Sequence, residues 1–360
     1  FRSAVAGDAG YGPLLAEAGR LAAQPLPDPG PEPVRPVAYA VVEGNVHDAP
    51  LQQRGDPEKP GDPVARRWLE VFGGATVPAE AGSGRRELAD WIATSPLAAR
   101  VIVNRVWQWH FGAGLVRTPN DFGARGEPPT HPELLDALAA GFLAEGGRLK
   151  DLHRAILATG AFRRSSIADA RLLEADPEGR LVGRFPRRRL SAEEIRDSLL
   201  VAAGELDPTP AEGHPFPPEA TWTFTQHAPF AAVYDTPRRS AYLMVQRQRR
   251  HPFLALFDGA DPNASTPLRQ TTTVPTQALY FLNDPFFHDR AAALARRMLA
   301  FADPASRIVA GYRMALQRDP SAAEADRAGR FLAGYPGDDA ERFAAWARVL
   351  LASNEFLHVD

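Results

Sequence analysis

The chain has 360 residues, of which 44% are hydrophobic, so it is long enough to build a sizeable core. Its 41 Lys and Arg residues and 44 Asp and Glu residues give a formal net charge of -3, which argues against a general nucleic-acid-binding protein. The sequence contains no cysteine, which excludes disulfides, thiolate nucleophiles and covalently attached haem in this chain.

The sequence also suggests that the chain is a processed piece, and it suggests where the chain divides into a linker and a domain. It begins at Phe1 rather than at a methionine, and it contains neither a signal peptide nor an apolar run of about 18 residues. We therefore expect a processed piece of a longer precursor without a direct membrane span. Because residues 25–36 are proline-rich, we predict an N-terminal fragment and linker over residues 1–36 and a single domain over residues 37–360.

A few short segments precede or interrupt the helical part of the sequence. Residues 12–23 are predicted to form a short helix. Residues 37–42 are apolar and β-prone, and residues 49–54 are predicted to return as their partner strand. The patterns at residues 222–224 and 240–245 predict two further strands.

Amphipathic helices dominate the remaining sequence, which predicts a mainly α fold with long Pro/Gly-rich loops. Thr130 with Glu133, and Ser191 with Glu194, fit the capping-box pattern at helix starts. Helices are predicted at residues 85–93, 97–111, 132–144, 149–159, 290–301, 305–316, 322–333 and 338–351. They divide the domain into a hub at 85–166, a second motif block at 176–290 and C-terminal helices at 290–360.

Two stretches of the sequence carry a family resemblance. In the hub, Asn104-Arg-Val-Trp-Gln-Trp-His-Phe-Gly112 is followed by Asp121-Phe-Gly123 and His131-Pro-Glu-Leu-Leu135. The second block contains Phe257-Asp-Gly-Ala-Asp-Pro-Asn263, then Thr273-Val-Pro-Thr-Gln277 and Leu282-Asn-Asp-Pro285. In this order the motifs resemble the signature of a planctomycete family of unknown function, over about 320 residues.

The resemblance implies a cellular context and neighbouring domains, but no reaction. Members of that family are usually C-terminal parts of large exported proteins, which often carry a planctomycete-type cytochrome c domain and a second uncharacterised domain upstream. It therefore implies a periplasmic or extracellular location and haem c on a separate domain. The implied partners are the upstream domains or another chain of the same precursor. Within this chain we expect no cofactor, apart from a calcium ion considered below.

Several polar residues are candidates for catalysis. His110 and His131 flank the hub loop that contains Asp121, and two imidazoles with a carboxylate can act as acid, base and orienting group, or as metal ligands. Asp121 with Asp258 or Asp284 could flank a glycosidic bond if the two blocks fold together. The candidate catalytic residues are therefore Asp121, His110, His131 and Asp284. For His110, the alternative is packing near the helix end.

The candidate binding residues are arginines, amides and aromatic side chains. Arginines present forked donors that suit a carboxylate or an anionic sugar, and an internal salt-bridge network is the alternative. Trp91, Trp107, Trp109 and Phe111 could stack on sugars, although this spacing is also typical of a core. The candidate substrate-binding residues are Asn104, Arg105, Trp107, Arg239, Arg269 and Asn283.

Two further motifs have a structural interpretation as well as a functional one. Asp258, Asp261 and Asn263 resemble an oxygen-rich calcium loop, with turn capping as the alternative. Residues 187–189 are three consecutive arginines, but the acidic chain and the lack of interleaved aromatics speak against nucleic acid as a partner. We predict that these arginines pair with carboxylates or hold loop carbonyls.

Two functional hypotheses follow. The first is the substrate-facing part of an exported cytochrome c-linked oxidoreductase or carbohydrate-processing enzyme. The alternative is a non-catalytic helical module that binds an upstream domain or a surface polysaccharide. We predict that the blocks near residues 104–131 and 239–284 pack against each other and form the functional face, since both contain polar groups that need partners if buried.

Overall fold

The structure is a computed structural model that describes residues 40–211, 213, 219–221, 230–231 and 233–359, together with residues 13, 16–17 and 19–20. Two compact units are present, Phe1–Asp90 and Trp91–Asp360, and their division falls inside the range that we predicted as one domain. The described positions within residues 12–23 are helical. The predicted strand at residues 222–224 lies outside the described residues, as do residues 37–39 of the first predicted strand.

The first unit contains a small hairpin. β1 (Ala49–Gln52) pairs antiparallel with β2 (Pro60–Val64). This corrects the predicted pairing with residues 37–42, of which residues 40–42 are not in a strand. Residues 60–64 supply the partner because the chain turns at Gly55, whose φ of 78° is readily adopted by glycine. The 3-10 helices of this unit are Gln53–Gly55, Glu70–Phe72 and Ala79–Ala81.

The hub is helical, as predicted. Its helices are α1 (Arg85–Thr94), α2 (Pro96–Phe111), α3 (Pro132–Ala144) and α4 (Leu149–Leu157), and the short helix α5 (Ala170–Ala175) follows the hub. The apolar sides of α2, α3 and α4 form a core in which Val103, Val106 and Ile156 are fully buried. Burial of each such side chain stabilises the fold by about 1.5–3 kcal/mol.

The start of α3 differs from the predicted capping box. The helix begins at Pro132, and its N-cap residue is His131, which makes no side-chain capping bond. Thr130 lies one position too early, since its backbone N–H donates to the Leu115 carbonyl at 2.8 Å and so belongs to the preceding loop. The second predicted box is confirmed: the Ser191 hydroxyl and the Glu194 carboxylate bond each other's backbone N–H groups at the start of the next long helix.

A second core lies under the remaining helices. They are α6 (Ala192–Ala203), α7 (Pro252–Leu256), α8 (Pro275–Asn283), α9 (Pro285–Leu299), α10 (Pro304–Leu316), α11 (Ala322–Gly334) and α12 (Asp339–Leu351). The central helix α9 packs along α12 and α6, and its Phe287, Leu294 and Met298 are fully buried. These packed helices hold the N-terminal end of α6 in a fixed position.

Short irregular elements complete the second unit. β3 (Arg188–Arg189) pairs antiparallel with β4 (His358–Val359). The predicted strand at residues 240–245 is instead a 3-10 helix at Ser240–Tyr242, because Asp197 accepts hydrogen bonds from both the backbone N–H and the hydroxyl of Ser240 and so tightens the chain there. Another 3-10 helix spans Glu219–Thr221.

Helical residues far outnumber strand residues in the part of the chain that the structure describes. The strands there form two sheets of two antiparallel strands each. This confirms the prediction of a mainly α protein. None of the described helices combines the length and the apolar character that crossing a membrane requires.

Candidate functional site

A groove of about 1200 Å³ lies in the second unit where the two motif blocks meet. The side-chain amide of Gln108 on α2 donates to the carbonyl of Pro267 in the second block at 3.0 Å. The blocks therefore contact each other, as predicted. We call this cleft the arginine groove; its aromatic and charged lining consists of Trp109, Arg187, Arg188, Arg189, Glu193, Glu194, Asp197, Arg239, Phe257, Asp258 and Arg269.

Trp109 gives the groove a flat apolar surface. Its side chain is 60% exposed, whereas Trp107 is only 2% exposed and stacks on Phe111 with ring centroids 4.2 Å apart. Residues two apart on a helix point to different sides, which places one indole in the core and the other on the groove. α2 ends directly after this turn, because Gly112 adopts a left-handed φ of 77°.

One wall of the groove is held by two neighbouring arginines. Arg188 forms a two-pronged ion pair with Glu194, at 2.9 and 2.8 Å. Although burial raises the pKa of the Glu194 carboxyl, the bonds from Arg188 and Ser191 outweigh it and lower that pKa. Arg189 donates to the carbonyl of Thr272 and to Gln277. For Arg188 and Arg189, the prediction that the consecutive arginines pair with a carboxylate or hold a loop carbonyl is confirmed.

The opposite wall depends on a strained aspartate. Asp258 has a left-handed φ of 61°, a conformation that aspartate tolerates better than most residues. Its carboxylate accepts from the Thr272 backbone N–H at 2.7 Å and from the Thr272 hydroxyl at 2.9 Å. The segment that carries Arg269 is thereby held against α6, where Arg269 bonds both carboxylate oxygens of Glu193 at 3.2 and 3.0 Å.

Arg239 makes a longer ion contact than Arg188 and Arg269, the two groove arginines that pair with glutamates. Its side chain is 60% exposed, and its ion contact with Asp197 is long, at 3.9 Å. Asp197 already accepts two hydrogen bonds from Ser240, each 2.7 Å long. Arg239 therefore keeps donors that an incoming anion can use.

Two residues that we predicted to bind substrate are buried instead. Asn104 is 0% exposed, and its amide bonds both the backbone N–H and the carbonyl of Val116, at 2.8 and 3.0 Å. Trp107 is part of the hub core. Both side chains thus hold the polypeptide together, and neither is accessible to a ligand, because helix α2 turns them inward.

The other hub candidates lie outside the described lining of the groove. Arg105 is exposed and donates to the side chain of Asn120 at 3.2 Å. Asp121 accepts from the backbone N–H of Gly123 at 2.8 Å, as in an Asx turn. The Nδ1 atom of His131 lies 3.0 Å from the hydroxyl of its neighbour Thr130.

The candidates Asp284 and Asn283 of the second block also lie outside the described lining of the groove. Asp284 caps α9 by accepting from the N–H of Phe286 at 2.9 Å, and it lines a different cavity from that of Asp258. Asn283 is exposed and donates back to the Leu279 carbonyl. Asp121, Asp258 and Asp284 are therefore distributed over three places and do not form the carboxylate pair that we considered.

The predicted calcium loop is built as a set of turns. Asp261 accepts from the N–H of Asn263 at 2.9 Å, and Asn263 donates to the Arg247 carbonyl at 2.8 Å. Asp258 points its oxygens at Thr272. Within the described ranges, no group of three or more His, Cys, Asp or Glu residues is arranged to hold a metal ion.

His110 pairs with a histidine that sequence patterns did not single out. Its Nε2 lies 2.8 Å from the Nδ1 of His153 on α4, and its ring also meets Phe162 edge-on. Burial, followed by the nearby charges of His153 and Arg188, lowers the pKa of His110. Because α2 and α4 are 43 residues apart at this contact, no local spacing reveals the pair.

The His110 environment makes folding stability pH-dependent. A histidine whose folded pKa lies below its unfolded value takes up its proton more readily in the unfolded chain, so stability is lost as pH falls through about 6.5. We expect the melting temperature to fall between about pH 7.5 and pH 5.5, and we expect a shallower slope for His110→Asn. His131→Asn is the control; thermal melts in which His110→Asn keeps the full slope would contradict the account.

The fold and the groove define a mainly helical domain with an arginine-lined cleft. The sequence pattern of the family described as "Protein of unknown function (DUF1553)" matches residues 84–332. This match covers more than half of the chain, and the chain therefore belongs to that family. No curated protein and no solved structure matches the chain. The family description contains no activity, so the chemistry of the groove is the guide to function.

Proposed function

We propose that this domain binds an anionic carbohydrate in the arginine groove and presents it to other parts of a larger exported protein. The observation that carries the proposal is the placement of an exposed indole, Trp109, in the same cleft as Arg239. An indole can stack on the apolar face of a sugar ring, while a guanidinium bonds a carboxylate through two parallel donors.

The charge of the groove supports an acidic ligand. Its described lining contains five arginines and four carboxylates, which leaves a formal excess of one positive charge. The carboxylates are already bonded, Glu193 and Glu194 by arginines and Asp258 by Thr272. An acidic group entering the groove would thus meet Arg239 without first displacing a short ion pair.

Binding, not bond cleavage, is the activity that we assign to the groove. A glycosidase uses one carboxylic acid and one carboxylate on either side of the scissile bond. The four groove carboxylates instead hold arginines, a threonine and a serine. Any cleavage or oxidation of the carbohydrate would then occur on another domain. The resemblance supports an exported, multidomain protein with a neighbouring cytochrome c domain and a periplasmic or extracellular location.

Oligosaccharides that differ only in charge test this function. We expect tetragalacturonate to bind roughly tenfold more tightly than galactotetraose, as one or two charge-assisted hydrogen bonds would give. The preference should shrink between about 20 mM and about 200 mM salt, because exposed ion contacts are screened. Isothermal titration gives both affinities; equal binding of the charged and neutral sugars would contradict the proposal.

A second candidate function is also non-catalytic. In it, the domain binds an upstream domain of the same precursor and not a carbohydrate. The ion pairs Arg188–Glu194 and Arg269–Glu193 favour it, because they brace the groove walls without any ligand. A wild-type domain that binds neither oligosaccharide, yet binds the upstream segment of its precursor, would support this candidate.

A further inference from the structure

A second cavity, of about 940 Å³, lies between α6, α7, α8, α9 and residues 233–237. It is separate from the arginine groove: Arg196 lines the cavity, whereas the next residue on α6, Asp197, lines the groove. The cavity combines aromatic walls with ionisable side chains, and nothing in the proposed carbohydrate site uses it.

The first cationic group of the cavity is fully committed to the protein. Arg196 is only 5% exposed and donates to the carbonyls of Thr236 and Arg238 and to the hydroxyl of Ser240. These bonds hold the loop that forms one side of the cavity. The guanidinium is thus a structural brace and not an open anion site.

The second cationic group is ion-paired, although the geometry of its contact is not that of a hydrogen bond. The Nε of Arg290 lies 2.7 Å from Oε2 of Glu205. The guanidiniums of Arg196 and Arg290 lie 5.4 and 4.8 Å from the centroid of the Phe286 ring. An anionic ligand would therefore have to break an ion pair or a buried hydrogen-bond set.

The lining also contains acceptors that make no ion pair. Asp235 and Asp289 are exposed at the cavity and make no ion pair within 4.0 Å to any described residue. The Nδ1 atom of His251 is buried and has no hydrogen-bond partner among the described residues. Burial and the charge of Arg196 lower the pKa of His251, so its imidazole is neutral at pH 7 and keeps one acceptor nitrogen.

The formal charges of the cavity lining also favour a positively charged ligand. The lining contains four carboxylates and two guanidiniums, which leaves an excess of two negative charges. The carboxylates are Glu205, Asp235, Asp284 and Asp289. Asp284 is used in capping α9, and Glu205 is paired with Arg290. Asp235 and Asp289 are thus the lining carboxylates with neither a helix-capping bond nor an ion pair within 4.0 Å to a described residue, and the charge of Asp235 still acts on Arg196.

We propose that this cavity binds a small organic cation: a primary amine with an apolar body. The ammonium group would donate to the carboxylates of Asp235 and Asp289 and to His251, and the hydrocarbon part would contact Phe253 and Leu256. An ammonium supplies three donors and a positive charge that offsets the excess of negative charge in this lining. An aliphatic chain buries apolar surface against the phenylalanine and leucine side chains.

Three ligands of equal chain length test the proposal on the wild-type domain. Hexylamine, 1-hexanol and hexanoate are six-carbon chains with a positive, neutral or negative head group. By isothermal titration we expect hexylamine to bind roughly tenfold more tightly than hexanol, and hexanoate to bind more weakly than hexanol. Hexanol or hexanoate binding as tightly as hexylamine, or no binding of hexylamine, would overturn the proposal.

Variants of the lining residues test whether hexylamine binds in this cavity. Asp235→Asn with Asp289→Asn should weaken hexylamine binding roughly tenfold and leave hexanol binding unchanged. Both residues are exposed, so the folded state should be kept, and circular dichroism checks this. Asp326→Asn, an exposed carboxylate on α11, is the matched control. Unchanged hexylamine affinity in the double variant, or an equal loss in the control, would exclude this cavity as the amine site.

Discussion

Replacing Asn104 by alanine is expected to lower the unfolding free energy by about 2–4 kcal/mol, because it leaves two buried backbone groups without a partner. The Asn104 amide bonds the N–H and the carbonyl of Val116 and joins α2 to the following loop. This contact has no room for adjustment, since a Cβ added at Gly114 would lie 2.6 Å from the amide nitrogen of Asn104. Thermal melts should show a fall in melting temperature on the order of 5–10 °C.

The control for this prediction is Asn120→Ala in the same loop. Asn120 is exposed and accepts one bond from Arg105, so its loss should change the unfolding free energy by less than about 0.5 kcal/mol. A melting temperature for Asn104→Ala within 1 °C or so of the wild type would show that Val116 finds water or another partner, and it would contradict the buried-brace account.

The sequence predicted the helices well because their signals are local. Prolines at first turns, glycines after last turns and the Ser191–Glu194 box depend only on residues within a few positions of each other. The predicted strand at residues 240–245 failed because its conformation depends on Asp197, which is distant in sequence. The predicted N-cap, Thr130, was wrong by one residue, since the backbone N–H of Thr130 donates to the Leu115 carbonyl in the preceding loop.

The candidate site was predictable only in outline. The two blocks do meet at a groove, and Arg239 and Arg269 line it. Which tryptophan of α2 faces the groove depends on the helix rotation relative to the core, and sequence favoured Trp107 where the structure exposes Trp109. Asp284 shares a motif block with Arg269 but lines another cavity, because residues adjacent in a motif can face opposite sides of a helical layer.

Removing the guanidinium of Arg239 is expected to have the largest effect on ligand binding. Arg188 and Arg269 are held in two-pronged pairs with glutamates, whereas the closest ion contact of Arg239 is 3.9 Å long. A ligand carboxylate therefore gains its charge-assisted bonds chiefly from Arg239. Arg239→Gln should weaken tetragalacturonate binding by about tenfold, which corresponds to about 1.4 kcal/mol. The domain should remain folded, because the Arg239 side chain is 60% exposed.

The most direct test compares the affinities of Arg239→Gln and Arg105→Gln for tetragalacturonate at low salt by isothermal titration. Both residues are exposed arginines of the two family-like blocks, but Arg105 bonds Asn120 and is not part of the described groove lining. We predict that Arg239→Gln loses at least about tenfold in affinity while Arg105→Gln binds as the wild type does. Equal losses in the two variants, or a loss confined to Arg105→Gln, would contradict binding in the arginine groove.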